Sequence, residues 1–192
     1  MSTRPAIIVV MGVCGCGKTT VGHQLAQALE CSFLDADDLQ PTSNLAKTGA
    51  GIPLTDEDRL PWLLEVRETA ARVAAVQARP ASAPKPQPVC VVACSALKRS
   101  YRELLRQGPP GQSTAEEDGE ARIADVFFIY LHGSPALLLS RMTSRIGHFM
   151  KAEMLASQLA VLEAPAGAEE PDSATASLVP AMRGRWRGWG KL

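Results

Sequence analysis

The sequence contains no apolar run that approaches the roughly 20 residues needed for a membrane-spanning helix. The apolar stretch near the N-terminus, AIIVVM, is also too short for a signal peptide. Charge of one sign is not in excess, because 20 basic side chains balance 20 acidic ones. No overall field therefore attracts nucleic acid or an anionic membrane, and we expect neither as a partner. These absences favour a cytoplasmic protein.

Cysteine is scarce and scattered. The five cysteines, at positions 14, 16, 31, 90 and 94, do not resemble a disulfide framework and fit a reducing compartment. No internal repeat is evident. The 192 residues are enough for one domain with a buried core. The hydrophobic share of 46% and the charged share of 21% are ordinary for a globular protein.

Short apolar segments alternate with segments of helical periodicity. Strands of the buried type are predicted at residues 7–11, 32–37, 89–94 and 126–131. Helices are predicted at 18–30, 61–78, 98–107, 134–145 and 151–163, with Pro61 in a first turn, Ser134 as an N-cap and Pro135 at the first helical position. This alternation predicts an α/β domain whose parallel sheet is flanked by helices.

Two segments read as insertions. Residues 79–88 contain four prolines, and residues 108–122 are polar, acidic and rich in glycine, which is typical of a mobile surface loop. No convincing strand or helix follows Pro165. We therefore predict one domain over residues 1–165 and a divergent tail, a candidate for disorder, over residues 166–192.

The stretch MGVCGCGKTT, residues 11–20, follows the first predicted strand and opens the first predicted helix. Gly12, Gly17, Lys18 and Thr19 fill the pattern G-x-x-x-x-G-K-[ST] in that context. Backbone N–H groups and the helix N-terminus bind phosphate there, Lys18 neutralises charge on the β- and γ-phosphates, and Thr19 holds Mg²⁺. The predicted ATP-binding residues are Gly12, Val13, Cys14, Gly15, Cys16, Gly17, Lys18, Thr19 and Thr20.

Cys14 and Cys16 invite two other interpretations. A structural metal site needs three or four ligands, and no nearby Cys or His cluster supplies the rest. A redox role is harder to dismiss, because a thiol near a helix N-terminus has a lowered pKa. The phosphate interpretation is favoured, and oxidation that blocks ATP binding stays a hypothesis.

Acidic and basic side chains follow the second and third predicted strands. Asp35, Asp37 and Asp38 lie at the end of the second strand, where strand periodicity places Asp35 and Asp37 on one face. A carboxylate at this edge of a parallel sheet orients or deprotonates a substrate hydroxyl, although Asp35 and Asp38 equally suit caps and turns. Lys98 follows the third strand at the same crevice.

Three arginines complete the set of candidates. Arg59 lies at a helix entry and is either a solvated charge or a partner for a carboxylate. Arg141 and Arg145 share one helix face without acidic neighbours at helical spacing. That arrangement favours anion contact, with a solvated face as the alternative.

These segments resemble the gluconokinases, P-loop sugar-acid kinases related to shikimate and nucleoside monophosphate kinases. The matching stretches are MGVCGCGKTT, FLDADDLQPTSNLAKTGAGIPLTDEDRLPWL, CSALKRSYRELLR, YLHGSP and SRMTSRIGHFMKAEMLASQLAVLE. The resemblance implies a P-loop kinase fold with a mobile lid, a homodimer, and phosphorylation of D-gluconate at its 6-hydroxyl with ATP and Mg²⁺.

The resemblance also implies roles for individual residues. Lys18 is catalytic and Asp37 is the base or the group that orients the substrate. Arg59 and Lys98 bind the carboxylate and hydroxyls of gluconate, with the division between them left open. Arg141 and Arg145 are catalytic lid arginines over the γ-phosphate, and His148 is a substrate-binding residue of the lid.

The chain departs from the family pattern at several positions. Cys14 and Cys16 replace serines, Gln40 replaces histidine, and Thr48 replaces methionine. The fifth strand expected near the C-terminus is doubtful, since only SLV at 177–179 is faintly strand-like.

Two alternative functions remain: a related kinase acting on shikimate or a nucleoside monophosphate, and an inactive nucleotide-binding form. The terminal Gly190-Lys191-Leu192 is a weak variant of a peroxisomal address or a chance tripeptide.

Overall fold

The computed structural model describes residues 4–76, 88–109, 123–143, 152–166 and 170–177. Within these ranges the chain forms a five-stranded parallel sheet with the strand order β2-β3-β1-β4-β5. The strands are β1 Ala6–Met11, β2 Ser32–Asp35, β3 Val89–Ala93, β4 Asp125–His132 and β5 Ser173–Ser177. The α/β architecture predicted from the sequence is therefore confirmed.

Helices cover both faces of this sheet. They are α1 Lys18–Ala28, α2 Thr42–Gly49, α3 Asp56–Val76, α4 Arg99–Gln107, α5 Pro135–Thr143 and α6 Ala152–Val161. One core cluster joins the sheet to α3 and α4, and a second joins it to α1, α5 and α6. The apolar β1 is buried on both sides, as its run of β-branched residues predicts. None of the helices in the described ranges is both long and apolar enough to cross a membrane.

Helix α3 begins at Asp56 rather than at the predicted residue 61. The Asp58 N–H donates to Thr55 Oγ1 at 3.3 Å, and the Thr55 N–H donates to the Asp58 carboxylate at 3.0 Å. This reciprocal cap, with an acidic first turn at the positive end of the helix, starts the helix early. Pro61 consequently lies inside the helix, where its missing N–H removes one helix hydrogen bond.

Strand β2 ends at Asp35, two positions before the predicted end at residue 37. The Asp35 carboxylate accepts the Asp37 N–H at 3.2 Å and starts a 3₁₀ turn, Ala36–Leu39. Asp37 and Asp38 therefore belong to this turn, and the expectation that Asp35 and Asp37 share a strand face is wrong. Helix α2 was not predicted at all. By contrast, Ser134 accepts the Leu137 N–H at 3.3 Å ahead of Pro135, which confirms the predicted start of α5.

The fifth strand, doubtful from the sequence, is present as β5. It pairs in parallel with β4 from Phe128↔Ser173 to His132↔Ser177, and so begins earlier than the SLV segment. Leu178 and Val179 lie outside the described residues, as do most of both predicted insertions. The wider division of the chain at residue 165 stays a prediction.

A buried ion cluster holds the segment before β5. Glu170, only 3% exposed, accepts two hydrogen bonds from the guanidinium of Arg102 at 2.6 and 2.8 Å and one from Arg106 at 3.0 Å. Arg106 also stands over the Phe128 ring, 4.6 Å from its centroid. Because both arginines belong to α4, these contacts tie the segment before β5 to the body of the domain.

Candidate active site

The loop between β1 and α1 has the backbone shape of a phosphate cradle. Gly12 and Gly17 have φ angles of +139° and +95°, values that favour glycine. A Cβ at Gly12 would also lie 2.8 Å from the Leu131 carbonyl oxygen, so that position excludes any side chain. Gly17 then directly precedes α1, and the loop N–H groups meet the positive end of that helix.

Lys18 folds back over this loop. Its Nζ donates to the carbonyl oxygens of Gly12 at 3.0 Å and Val13 at 3.1 Å. The ammonium group is thereby held against the loop that leads into α1. A fixed cation beside backbone donors forms a site for an anion such as phosphate.

Thr19 and Asp35 form an oxygen pair next to the loop. Thr19 Oγ1 donates to Asp35 Oδ2 at 2.9 Å, which joins the first turn of α1 to the end of β2. Hydroxyl and carboxylate oxygens are ligands that suit Mg²⁺ beside a nucleotide phosphate. The sequence does not separate Asp35 from Asp37 and Asp38 as a candidate. The contact with Thr19 distinguishes Asp35 from the other two carboxylates.

Asp37 is exposed at the tip of the 3₁₀ turn. Its Oδ1 accepts a hydrogen bond from Gln40 Nε2 at 3.0 Å. Helix α3 fixes the turn, since the indole N–H of Trp62 donates to the Ala36 carbonyl oxygen at 2.7 Å. Gln40 Oε1 is buried and has no hydrogen-bond partner among the described residues. Asp37 is thus positioned beside an unsatisfied acceptor, and Asp38 is exposed.

Arg59 and Lys98, from different elements, meet around one aromatic ring. Arg59 Nη1 donates to Tyr101 Oη at 3.2 Å, and Tyr101 Oη donates to Asp56 Oδ1 at 2.5 Å. Lys98 Nζ closes the group with bonds of 2.7 and 2.8 Å to the Asp56 carboxylate. These bonds lower the pKa of Asp56, with the Lys98 bond as the largest cause, and raise the pKa of Lys98.

This Arg59–Tyr101–Asp56–Lys98 group, called here the cation cluster, contains two residues that the sequence did not single out for the site. Neither Asp56 nor Tyr101 has a role in the site predicted from the sequence. The sole signal for Tyr101 is its place three residues after Lys98 within the quoted motif, which puts it in the first turn of α4, next to Lys98 at the N-cap.

The sheet order brings these groups to one edge. Strands β2, β3 and β1 are neighbours, and their carboxyl ends lead into the 3₁₀ turn, the Lys98 segment and the phosphate loop. The Gly12 N–H donates to the Ser95 carbonyl oxygen at 3.2 Å, which joins the loops after β1 and β3. Ligands of open parallel sheets bind at this edge.

The cysteines of the loop are buried and do not behave as activated thiols. Burial raises the pKa of Cys14 and of Cys16, against a smaller opposing effect of Lys18. The expectation of a lowered pKa at the helix N-terminus is therefore wrong, because desolvation outweighs the nearby positive charge. The part of the chain that the structure describes contains no group of three His, Cys, Asp or Glu side chains arranged to hold a metal.

The predicted lid residues are only partly covered by the structure. Arg141 lies in the last turn of α5, and its charge acts on the Cys16 thiol of the phosphate loop. Arg145 and His148 lie outside the described residues. Thr20 is exposed one residue beyond Thr19 in the first turn of α1.

Comparison with known proteins adds independent findings. A family model described as shikimate kinase matches residues 14–164. The chain is 43% identical over 164 residues to a probable gluconokinase of Xenopus tropicalis, covering 85% of this chain and 81% of that protein. It is 40% identical over 166 residues to the thermoresistant gluconokinase of Escherichia coli K12, covering 86% and 81%.

Solved structures agree with these relatives. A gluconokinase from Sinorhizobium meliloti 1021 matches with a TM-score of 0.70 and 39% identity, over 94% of this chain and 87% of that one. An APS kinase from Mycobacterium tuberculosis matches with a TM-score of 0.60 at 16% identity, over 93% and 91%. The second match shows a shared fold alone.

Proposed function

The chain belongs to the gluconokinase family of shikimate-kinase-like P-loop kinases, and we propose that it transfers the γ-phosphate of ATP to the 6-hydroxyl of D-gluconate. One observation carries the proposal beyond family membership. The cation cluster, which supplies two positive side chains, lies at the same sheet edge as a loop shaped for phosphate. A sugar acid is a substrate that needs both a cation for its carboxylate and a phosphate donor beside its hydroxyl.

Each group has a role in this reaction. The N–H groups at the end of the loop and in the first turn of α1, together with Lys18, bind the phosphates and stabilise the negative charge that spreads over the transferred group. Asp37 orients the 6-hydroxyl and accepts its proton as the oxygen attacks in line. Gln40 Oε1, unsatisfied beside Asp37, suits a second hydroxyl of the polyol. We assign Arg141, Arg145 and His148 to the lid over the γ-phosphate and substrate.

Arg59 and Lys98 would bind the gluconate carboxylate and its neighbouring hydroxyls. Lys98 is held by Asp56 and Arg59 by Tyr101 and the Leu54 carbonyl oxygen. Arginine supplies the planar, bidentate geometry that a carboxylate prefers, so we assign Arg59 to the carboxylate and Lys98 to the hydroxyls.

Magnesium fits the oxygen pair described above. Thr19 Oγ1 and the Asp35 carboxylate would hold it, since both are hard oxygen donors already in contact. When bound, Mg²⁺ neutralises charge on the β- and γ-phosphate oxygens. A homodimer and a cytoplasmic location are proposed on the sequence alone.

A kinase assay with a panel of substrates tests the proposal. We expect ATP-dependent turnover with gluconate and much slower turnover with shikimate, nucleoside monophosphates and uncharged sugars. Faster turnover with shikimate or a nucleoside monophosphate would assign the chain to the alternative kinase activity. Nucleotide binding without transfer to any substrate of the panel would indicate an inactive form.

Replacing Lys18 distinguishes true activity from a contaminant. Lys18→Ala should lower kcat by roughly 10²–10³-fold or more, since a preorganised group that stabilises transition-state charge is removed. Arg72→Ala, which removes an exposed cation from α3, serves as the matched control and should retain full activity. Equal activity of the Lys18 variant and the wild type would contradict the assignment of the loop.

A further inference from the structure

The phosphate loop has a contact that the mechanism above does not use. The Cys14 N–H donates to Gln158 Oε1 of helix α6 at 2.6 Å. Cys14 is buried in the loop, and its Sγ lies 3.6 Å from Met142 Sδ of α5. A backbone donor in the middle of a phosphate loop is therefore held by a side chain that lies 144 positions away in the chain.

The chain just beyond the same helix holds the segment that carries Lys98. The Glu163 N–H donates to the Leu97 carbonyl oxygen at 2.9 Å. The Glu163 carboxylate in turn accepts the Arg99 N–H at 2.5 Å. Leu97 and Arg99 are the two neighbours of Lys98, so one residue fixes the backbone on both sides of a proposed substrate ligand.

The body of the helix is packed between these two contacts. Leu155 is buried, and the partly buried Leu159 and Leu162 pack against the core cluster that contains the phosphate loop cysteines. Leu162 also contacts the core cluster on the other face, the one that includes Tyr101. Three apolar side chains of residues 155–163 thus contact the core between the two polar contacts.

We propose that Gln158 and Glu163 are positioning residues that make α6 and its following residues a strut between the nucleotide site and the sugar-acid site. This inference rests on the proposed function, because it takes Lys98 as a substrate ligand. Neither side chain touches a reacting group. The strut sets the separation between the phosphate loop and Lys98, and in-line transfer is sensitive to such distances: a 1 Å misplacement costs about 10²-fold in rate.

The chemistry of Gln158 suits this position. The Cys14 N–H needs an acceptor, because an unpaired buried donor is costly. A carboxylate would satisfy it but would add a negative charge beside bound phosphates. The neutral amide accepts the hydrogen bond without that repulsion.

A double-mutant cycle tests the strut. Gln158→Met keeps the length of the side chain but removes the acceptor for the Cys14 N–H. Glu163→Ala removes the acceptor for the Arg99 N–H and keeps the backbone bond to Leu97. Each change should lower kcat by roughly tenfold. Once one end is released, releasing the other has little further effect, so the double variant should lose much less than the roughly hundredfold product. Ser157→Ala, an exposed neighbour on α6, is the control and should leave kcat unchanged.

Two further measurements separate positioning from loss of fold. The thermal midpoint of each single variant is compared with that of the wild type, which gives the folded fraction at the assay temperature. The fall in kcat should be far larger than the fall in that folded fraction. Independent effects that multiply in the double variant, or single variants with wild-type kcat, would overturn the strut.

Nucleotide affinity keeps this test distinct from that of the proposed function. Gln158→Glu should weaken ATP binding by roughly tenfold in a titration without gluconate, because a negative charge then faces the phosphates. Unchanged ATP affinity in this variant would overturn the loop contact even if gluconate is phosphorylated. If gluconate is not phosphorylated, the proposed function fails, and this titration and the cycle, run with the best substrate of the panel, still decide the strut.

Discussion

We propose that two carboxylates near the end of β2, Asp35 and Asp37, have different roles. Asp35 is engaged by the Thr19 hydroxyl and by the Asp37 N–H, whereas Asp37 is exposed at the tip of the turn. A group that must accept a proton from a substrate needs such access, and a group that holds a cation beside the loop does not. This difference supports the proposed role of Asp37 as the base.

Replacing Asp37 by its isosteric amide isolates that role. Asp37→Asn should lower kcat by roughly 10²–10⁴-fold, the usual contribution of a general base, with the affinity for ATP retained. Steady-state kinetics and nucleotide titration measure the two quantities. Asp38→Asn changes the adjacent exposed carboxylate in the same way and should retain full kcat. If both variants lose activity equally, Asp37 has no special role.

The remaining single-residue contacts show what a motif can and cannot predict. Lys18, Thr19 and Lys98 lie where the sequence motifs place them, because each lies between the end of a strand and the first turn of the following helix. Asp56, Tyr101 and Gln158 acquire their contacts from partners 42 to 144 positions away. Such pairs depend on how helices pack over the sheet, and no local pattern encodes that packing.

At the level of elements, β5 illustrates the same limit. Its sequence, SATAS, offers only two alanines on one face, and its residues are mostly exposed. The strand forms because its backbone pairs with β4 and because Glu170, just before it, is held by two arginines of α4. By contrast, the four apolar strands and the Ser134–Pro135 helix start are local signals, and the sequence predicts them with only small errors at their ends.

The Glu170 cluster can be tested by removing its charge while keeping its shape. Glu170→Gln leaves the buried Arg102 without a counter-charge and leaves Arg106 with only the more exposed Glu103, so the free energy of unfolding should fall by about 3–5 kcal/mol at neutral pH. Chemical denaturation followed by circular dichroism measures it. Glu103→Gln, which changes a more exposed partner of Arg106, is the control and should cost about 1 kcal/mol or less. If Glu170→Gln also lowers the free energy of unfolding by only about 1 kcal/mol or less, the anchoring role of Glu170 is contradicted.

At the scale of the whole molecule, three carboxylates of the described residues form ion pairs with cations of other elements. Asp58 pairs with Lys47 between α3 and α2, Asp56 with Lys98 between α3 and the start of α4, and Glu170 with Arg102. The hydrogen bond from the cationic partner is in each case the largest cause of a lowered carboxyl pKa. The folded state therefore favours the ionised form of all three carboxylates.

The lowered pKa of all three carboxylates predicts how the stability of the fold depends on pH. The ordinary pKa values are 3.8 for the aspartates and 4.5 for Glu170, and each is lower in the folded protein. The unfolded chain then binds protons first as the pH falls, so the stabilisation is complete above about pH 5 and is lost as the pH passes down through the folded values. Denaturation midpoints measured from pH 7 to pH 3 should be level at first and then fall steeply.

The Glu170→Gln variant identifies the share of this loss that belongs to the buried cluster. Glutamine does not titrate, so the variant should lose less stability than the wild type between pH 5 and pH 3, and the two curves should converge as Glu170 becomes protonated. The control Glu103→Gln should follow the wild-type curve. Protonation of Glu170 and its replacement by glutamine both remove the negative charge that faces Arg102 and Arg106. Parallel curves for the wild type and Glu170→Gln would therefore show that the acid sensitivity arises elsewhere.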